Sequence, residues 1–302
     1  MQRQDTALLF LLASIWGASF LFMRIASPVL GPFFTTEVRV AVAGAALLLY
    51  AAIRGRMPRL FKRWRESLIL GGINAALPFV LISSAELHLN ASLAAILNAT
   101  TPLFTAIVVW GATREKLGKS RALGLLFGLF GVIILVGWSP IELNSQNMLA
   151  VLFSILAALA YGFGSLYAVR AFRGVPALEV AIGQQLGAAV LLLPFAVAKW
   201  PDSPPPSHVI YSLLGLSLVC TAFAYLIYYR LMDRVGPVKT VSVTFLVPIF
   251  GILWGMLFLG ESVYATTVLG LAVILASIVW VNQIPLPSWM RRKPKEESAE
   301  LP

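Results

Sequence analysis

Residues Pro102–Glu115 read PLFTAIVVWGATRE, and residues Pro248–Glu261 read PIFGILWGMLFLGE. The two stretches align without a gap at a spacing of 146 residues, and Leu123-Gly124-Leu125 continues the register into Leu269-Gly270-Leu271. Upstream, Trp16-Gly17 pairs with Tyr161-Gly162 at a spacing of 145. A chain that repeats itself near half its length is built from two copies of one unit. Composition says what kind of unit.

The 302 residues are 59% hydrophobic and only 12% charged, about half the roughly 25% charge of a soluble domain. Long apolar runs alternate with short basic connectors, the pattern of an all-α polytopic membrane protein. A helix needs about 20 apolar residues to cross a bilayer. Ten windows qualify: residues 6–26, 33–53, 68–88, 91–111, 121–138, 148–168, 177–198, 209–229, 240–260 and 263–283. The first exceeds the roughly 7–15 residues of a signal-peptide core and is expected to be retained. With the N-terminus inside, 20 of the 23 Lys and Arg fall on inner connectors or the tail, leaving Arg24, Arg39 and Lys199. That satisfies the positive-inside rule and predicts ten transmembrane helices with both termini cytoplasmic.

Each half then holds five spans, residues 1–140 and 141–284, followed by a basic and polar tail, 285–302. Five is odd, so the second copy enters the membrane upside down. Glu115 sits among basic residues, whereas its counterpart Glu261 sits in a connector with no Lys or Arg. Inverted-topology repeats are characteristic of secondary transporters, which bind substrate near the midplane between the repeats.

The run AYLIYYRLMDRVGPVKT (Ala224–Thr240), then Pro248, Gly260-Glu261 and Gly270, resembles the EamA branch of the drug/metabolite transporter superfamily. The first half carries the same pattern from Asn90-Ala91-Ser92 through Pro102, Glu115 and Gly124, although Arg114 stands where the second half has Gly260. The resemblance covers essentially the whole chain, which looks like a YddG-type exporter of aromatic amino acids. It implies ten helices in inverted five-helix repeats in a bacterial inner membrane, with efflux of amino acids or related metabolites by alternating access. It implies no cofactor, and a monomer or weak dimer as the working unit.

Several other functions are disfavoured by the residues. Gly118-Lys119-Ser120 fills the last three places of a phosphate-binding loop, but the first glycine place is Thr113 and an apolar run precedes it. Lys119 and Ser120 read as an inner-face cation and a helix start. The net charge of +10 is explained by helix orientation, without nucleic acid. The single Cys220 can form no intrachain disulfide, and no catalytic or metal-binding motif is present. An intramembrane enzyme predicts paired catalytic groups within spans, yet Asp5, Asp202 and Asp233 lie at connectors or ends. A channel predicts rings of charge, and none is visible. A drug or nucleotide-sugar carrier of the same superfamily is the alternative within transport; a phosphorylated substrate would demand cations at mid-membrane, where only Arg39 is available.

An aromatic amino acid needs polar groups for its ammonium and carboxylate and flat walls for its ring. Candidate polar groups are Asn98, Thr101, Ser242 and Thr244, with Gln184 and Gln185; Asn98 and Thr244 stand 146 residues apart. Candidate aromatic surfaces are Trp16, Phe79, Tyr161, Tyr225 and Trp254. Each of these residue types also serves between helices or at interfaces. Pro78, Pro102 and Pro248 remove backbone donors inside spans and are candidate hinges. Arg39 is a candidate gate. Glu37 and Arg39, two residues apart on one helix, are not expected to pair. Glu86 and His88 could each accept a proton, which leaves proton coupling open, but they are expected at a solvated helix end. Gly124, Gly128 and Gly131 suit close packing, within the chain or across a dimer.

Overall fold

The structure is a computed structural model describing residues 2–55, 57–58, 60–113, 118–137, 144–236, 239–240 and 242–281. Glu115, the basic connector around it and the C-terminal tail lie outside the described residues. Regular structure among the described residues is entirely helical. In chain order the helices are α1 (Arg3–Leu30), α2 (Pro32–Ile53), α3 (Trp64–Gly71), α4 (Leu77–Ala85), α5 (Ala91–Asn98), α6 (Thr101–Thr113) and α7 (Lys119–Gly137). They continue as α8 (Ser145–Ala171), α9 (Ala177–Ala198), α10 (Ser207–Leu214), α11 (Ala224–Val235), α12 (Val243–Leu259) and α13 (Ala265–Val281). A π-helical stretch, Gly72–Ala76, joins α3 to α4, and a second, Gly215–Phe223, joins α10 to α11.

Seven helical stretches are long and apolar enough to cross a membrane: Arg3–Leu30, Pro32–Ile53, Trp64–Ala85, Ala91–Ala112, Ser145–Ala171, Ala177–Ala198 and Ser207–Val235. The remaining windows hold shorter apolar helices, Ala122–Gly137, Val243–Leu259 and Ala265–Val281. Side-chain distribution supports the same class. Leu126, Ile133, Val190, Leu257 and Phe258 turn apolar side chains outward, while Arg39, Glu86, Gln184 and Gln185 are buried. A protein in water arranges these groups the other way round.

Packing follows a pairwise scheme. Helix α2 lies along α9, and α7 along α13; α1 packs against α12 and the α10–α11 stretch, while α8 packs against α6 and α4. Glycines permit two of these crossings. A Cβ on Gly17 of α1 would come within 2.7–2.9 Å of Phe250 and the Gly251 nitrogen of α12. One on Gly162 of α8 would come within 3.2 Å of the Phe104 carbonyl and Thr105 backbone of α6. Gly17 and Gly162 are 145 residues apart, and Thr105 and Gly251 are 146 apart. The Gly124, Gly128 and Gly131 stripe is used within the chain, facing Val281, Ser277 and Ile274 of α13. Ser277 adds a hydrogen bond from its hydroxyl to the Gly124 carbonyl at 2.6 Å.

The prolines act differently from one another. Pro102 does not sit mid-helix: it follows a break at Ala99–Thr100, in the first turn of α6. The Asn98 carbonyl that a residue other than proline would have bonded accepts instead from the Thr101 hydroxyl at 2.7 Å. Pro78 stands in the first turn of α4, just past the first π-helical stretch, where its missing donor is absorbed by the wider turn. Pro248 lies within α12. The second π-helical stretch has no proline. There Thr221 donates to the Leu216 carbonyl at 2.8 Å and Ser217 to the Leu213 carbonyl at 2.7 Å, so hydroxyls support the backbone.

Candidate functional site

Arg39 lies two helical turns into α2 and is buried. Its guanidinium stands 3.7 Å from the centroid of the Phe79 ring of α4. Its Nε donates to the Thr221 hydroxyl at 3.0 Å and Nη1 to the Met23 sulfur at 3.4 Å. A buried charge of this kind needs partners, and here it is held by a ring face, a hydroxyl and a thioether. The one ion pair among the described residues is elsewhere, from Arg234 Nε to Asp5 at 3.1 Å, tying the start of α1 to the end of α11. Glu37 and Arg39 do not pair.

Around this cation the structure gathers several of the expected residues. Tyr161 of α8 meets Phe79 edge-on, with ring centroids 6.3 Å apart. Gln184 of α9 accepts from Asn74 Nδ2 at 2.8 Å and donates to the Tyr225 hydroxyl of α11 at 3.0 Å. Gln185 is fully buried and lies beside Tyr225. Tyr225 stacks on Tyr229 at 5.8 Å, and Tyr229 meets Tyr228 at 5.6 Å. Trp16 of α1 closes the row against Tyr228 at 5.5 Å. The π-helical stretches supply Asn74 and Thr221, because the extra residue in each wide turn rotates the side chains that follow.

The members come from both halves of the chain at the spacing of the sequence repeat. Trp16 and Tyr161 are 145 residues apart, as are Arg39 and Gln184; Phe79 and Tyr225 are 146 apart. Each pair puts a more polar residue in the second half or a charge in the first. The result is a polar and aromatic centre built from repeat-spaced residues, with one buried cation.

Other expected residues are used locally. The Thr101 hydroxyl is held by Asn98, and the Ser242 hydroxyl by the Lys239 carbonyl at 2.6 Å. The Asn98 side-chain oxygen is buried without a partner among the described residues. Thr244, half-buried in the first turn of α12, keeps an interaction of its own. Trp254 donates from its indole to the Ser14 carbonyl at 2.9 Å and packs on Phe258, so it fastens α12 to α1. Among the described residues no cluster of His, Cys, Asp and Glu could hold a metal.

The expectation of a solvated helix end is wrong for Glu86. His88 is exposed, but Glu86 is fully buried, and neither carboxylate oxygen has a hydrogen-bond partner among the described residues. The turn Glu86–Asn90 folds back so that Leu87 and His88 face out while Glu86 stays inside. Arg24 of α1 donates to the Glu86 carbonyl rather than to its carboxylate. Beyond this turn Glu261 reaches from the end of α12 to the start of α5. Its oxygens accept from Ala91 N at 2.7 Å and Ser92 N at 3.0 Å, and from the Ser92 hydroxyl. Gly260, at φ 65° and ψ 25°, makes the left-handed turn that aims Glu261 there. A carboxylate on the free N–H groups of a helix start is a favourable cap.

A cleft of about 530 Å³ opens at one end of the bundle, between Val29–Phe34 and Lys199–Pro206. It stops short of Arg39, and its walls lack the Gln and Tyr groups of the centre. Chemistry therefore makes the centre, rather than this cleft, the candidate site.

A bundle with apolar side chains outside and Arg, Gln and Tyr gathered inside has the architecture of a polytopic membrane transporter. The chain belongs to the EamA-like transporter family, whose model matches residues 6–137 and again residues 148–283. It is similar to the transporter YoaV of Bacillus subtilis, 21% identical with 87% of this chain and 91% of that protein covered. The inner membrane transporter YedA of Escherichia coli K12 is 27% identical, with 91% and 89% covered. A chloroplastic WAT1-related protein of Arabidopsis thaliana is 25% identical, with 88% and 66% covered. One solved crystal structure superposes with a TM-score of 0.64 over 94% of this chain and 98% of the other, at 18% identity. That likeness speaks to the fold. The protein is thus a membrane transporter for a small molecule and not an enzyme.

Proposed function

We propose that the protein is a secondary exporter of amino acids, with aromatic amino acids preferred, working by alternating access around the Arg39–Phe79–Tyr225 centre. One observation carries this reading: a buried cation, two glutamines and a row of aromatic rings converge from α2, α4, α8, α9 and α11. An amide and guanidinium lining suits a carboxylate and an ammonium, and the rings suit a flat apolar side chain.

The proposal includes ten spans in two inverted five-helix repeats, residues 1–140 and 141–284, with both termini cytoplasmic in a bacterial inner membrane. The twofold match of the family model supports it, as do the repeat-spaced crossings at Gly17 and Gly162. Rocking of one repeat against the other would expose the centre to each side in turn. Pro78, Pro102 and Pro248, placed where helices break or lose a donor, are the proposed flexing points. A nucleotide-sugar carrier is less well supported, since buried cations other than Arg39 are lacking at the centre among the described residues.

The test is export from cells. Overproduction should lower the retention of labelled phenylalanine and protect against a toxic phenylalanine analogue. Unchanged retention of phenylalanine, tryptophan and threonine alike would remove amino acids as the substrate class.

A further inference from the structure

Two buried ionisable groups of opposite type, Arg39 and Glu86, have no charged partner among the described residues. Arg39 uses Nε and Nη1 on Thr221 and Met23, and no hydrogen bond from Nη2 is found among the described residues. A guanidinium carries five N–H donors in a planar fork, so most of the fork is unused. Glu86 has both carboxylate oxygens buried and unmatched among the described residues. Leaving either group so is costly unless something else completes it.

Their positions are linked by two elements. On α1, the consecutive residues Met23 and Arg24 touch them: Met23 accepts from Arg39, and Arg24 holds the carbonyl of Glu86. Both residues therefore have α1 as a shared neighbour, through adjacent positions of that helix. On α4, Phe79 lies under the Arg39 guanidinium, and Glu86 follows seven residues later at the end of the same helix. Seven residues are two turns, roughly 10 Å along one face. They form no ion pair with each other. Of the charged groups nearby, Arg24 is spent on the Glu86 main-chain carbonyl and Glu261 on the start of α5.

We infer that Arg39 and Glu86 bind the two ends of a zwitterion: the guanidinium takes the carboxylate of an α-amino acid, and the Glu86 carboxylate takes its ammonium. Charge-assisted contacts are about 2.8 Å long, and the two charges of an α-amino acid sit a few Å apart. With one such contact at each end, a zwitterion covers a length of the same order as the roughly 10 Å between the Phe79 and Glu86 levels of α4, and it completes both groups. Phe79 and Tyr161 form the wall beside it. This assignment rests on the amino acid reading above. It adds that the backbone charges are recognised by a cation from the first half's second span and an anion at the end of its third.

The test is binding to the purified full-length protein in detergent by three probes of one size: phenylalanine, phenethylamine and 3-phenylpropionate. The wild type should bind phenylalanine at least 10-fold more tightly than either analogue. Arg39→Gln should abolish the preference over phenethylamine while keeping that over 3-phenylpropionate, and Glu86→Gln should do the reverse. The assignment is overturned if the wild type binds phenylalanine and an analogue equally, a result that needs no variant to fold. It is also overturned if both variants melt like the wild type and retain both preferences. Binding of none of the three by the wild type would remove the amino acid reading itself, and this assignment with it.

Discussion

The Arg39 guanidinium lies 3.7 Å from the centroid of the Phe79 ring, in the middle of the bundle. The contact fixes the cation against α4 while Thr221 fixes it against the second π-helical stretch. A desolvated cation–π contact is worth about 2 kcal/mol or more. Phe79→Leu keeps most of the apolar volume but removes the ring face. Transport of phenylalanine should then show KM raised about 10-fold, corresponding to about 1.4 kcal/mol, with little change in melting temperature. An unaltered KM would show that the ring does not position the cation for substrate.

Glu261, just past the end of α12, caps the start of α5. Replacing it with Ala leaves the Ala91 and Ser92 N–H groups unmatched, a loss of about 1–3 kcal/mol. Glu261→Ala should lower the melting temperature clearly, and Glu261→Gln, which keeps one carbonyl acceptor, should lower it less. Equal melting of both variants and the wild type would show that the cap contributes nothing.

Gly17 and Gly137 separate packing from composition. A Cβ at Gly17 would collide with the backbone of α12, whereas nothing lies within 4 Å of one at Gly137. Gly17→Val should yield aggregated protein on size-exclusion chromatography. Gly137→Ala should elute and melt as the wild type does, or gain up to about 1 kcal/mol from helix propensity. A well-behaved Gly17→Val protein would mean that α1 and α12 do not cross so closely.

Much of this was legible in the sequence. Apolar windows marked the apolar helices, seven of them long enough to span a membrane among the described residues, and the Pro102/Pro248 spacing accords with a family model that matches the chain twice. The collection of Trp16, Phe79, Tyr161, Gln184 and Tyr225 was foreseeable because each is polar or aromatic on an otherwise apolar span. Less was legible where backbone geometry decides. Hydropathy carries no sign of the π-helical turns, which set the direction of Asn74 and Thr221. Nor does it show that α4 ends in a turn that keeps Glu86 inside while exposing His88. Thr101 and Ser242 stand out by composition too, yet the structure engages their hydroxyls on the nearby Asn98 and Lys239 carbonyls, a local geometry that hydropathy does not show.

Orientation is checked by labelling. Cys220 is buried and silent to a membrane-impermeant maleimide, so a cysteine can be added to the natural chain. His88→Cys should react in intact cells and Lys119→Cys only after permeabilisation, because both positions are exposed and belong to opposite faces in the ten-span reading. The reverse pattern would invert the topology, and labelling of both in intact cells would break the span count.

Counterflow in liposomes is the most direct test of the central claim. Purified protein should drive transient accumulation of labelled phenylalanine in vesicles preloaded with unlabelled phenylalanine, and Arg39→Gln should reduce the initial rate at least 10-fold while remaining folded. Protein-dependent flux of some other metabolite, with none of phenylalanine, tryptophan or threonine, would contradict the proposed function.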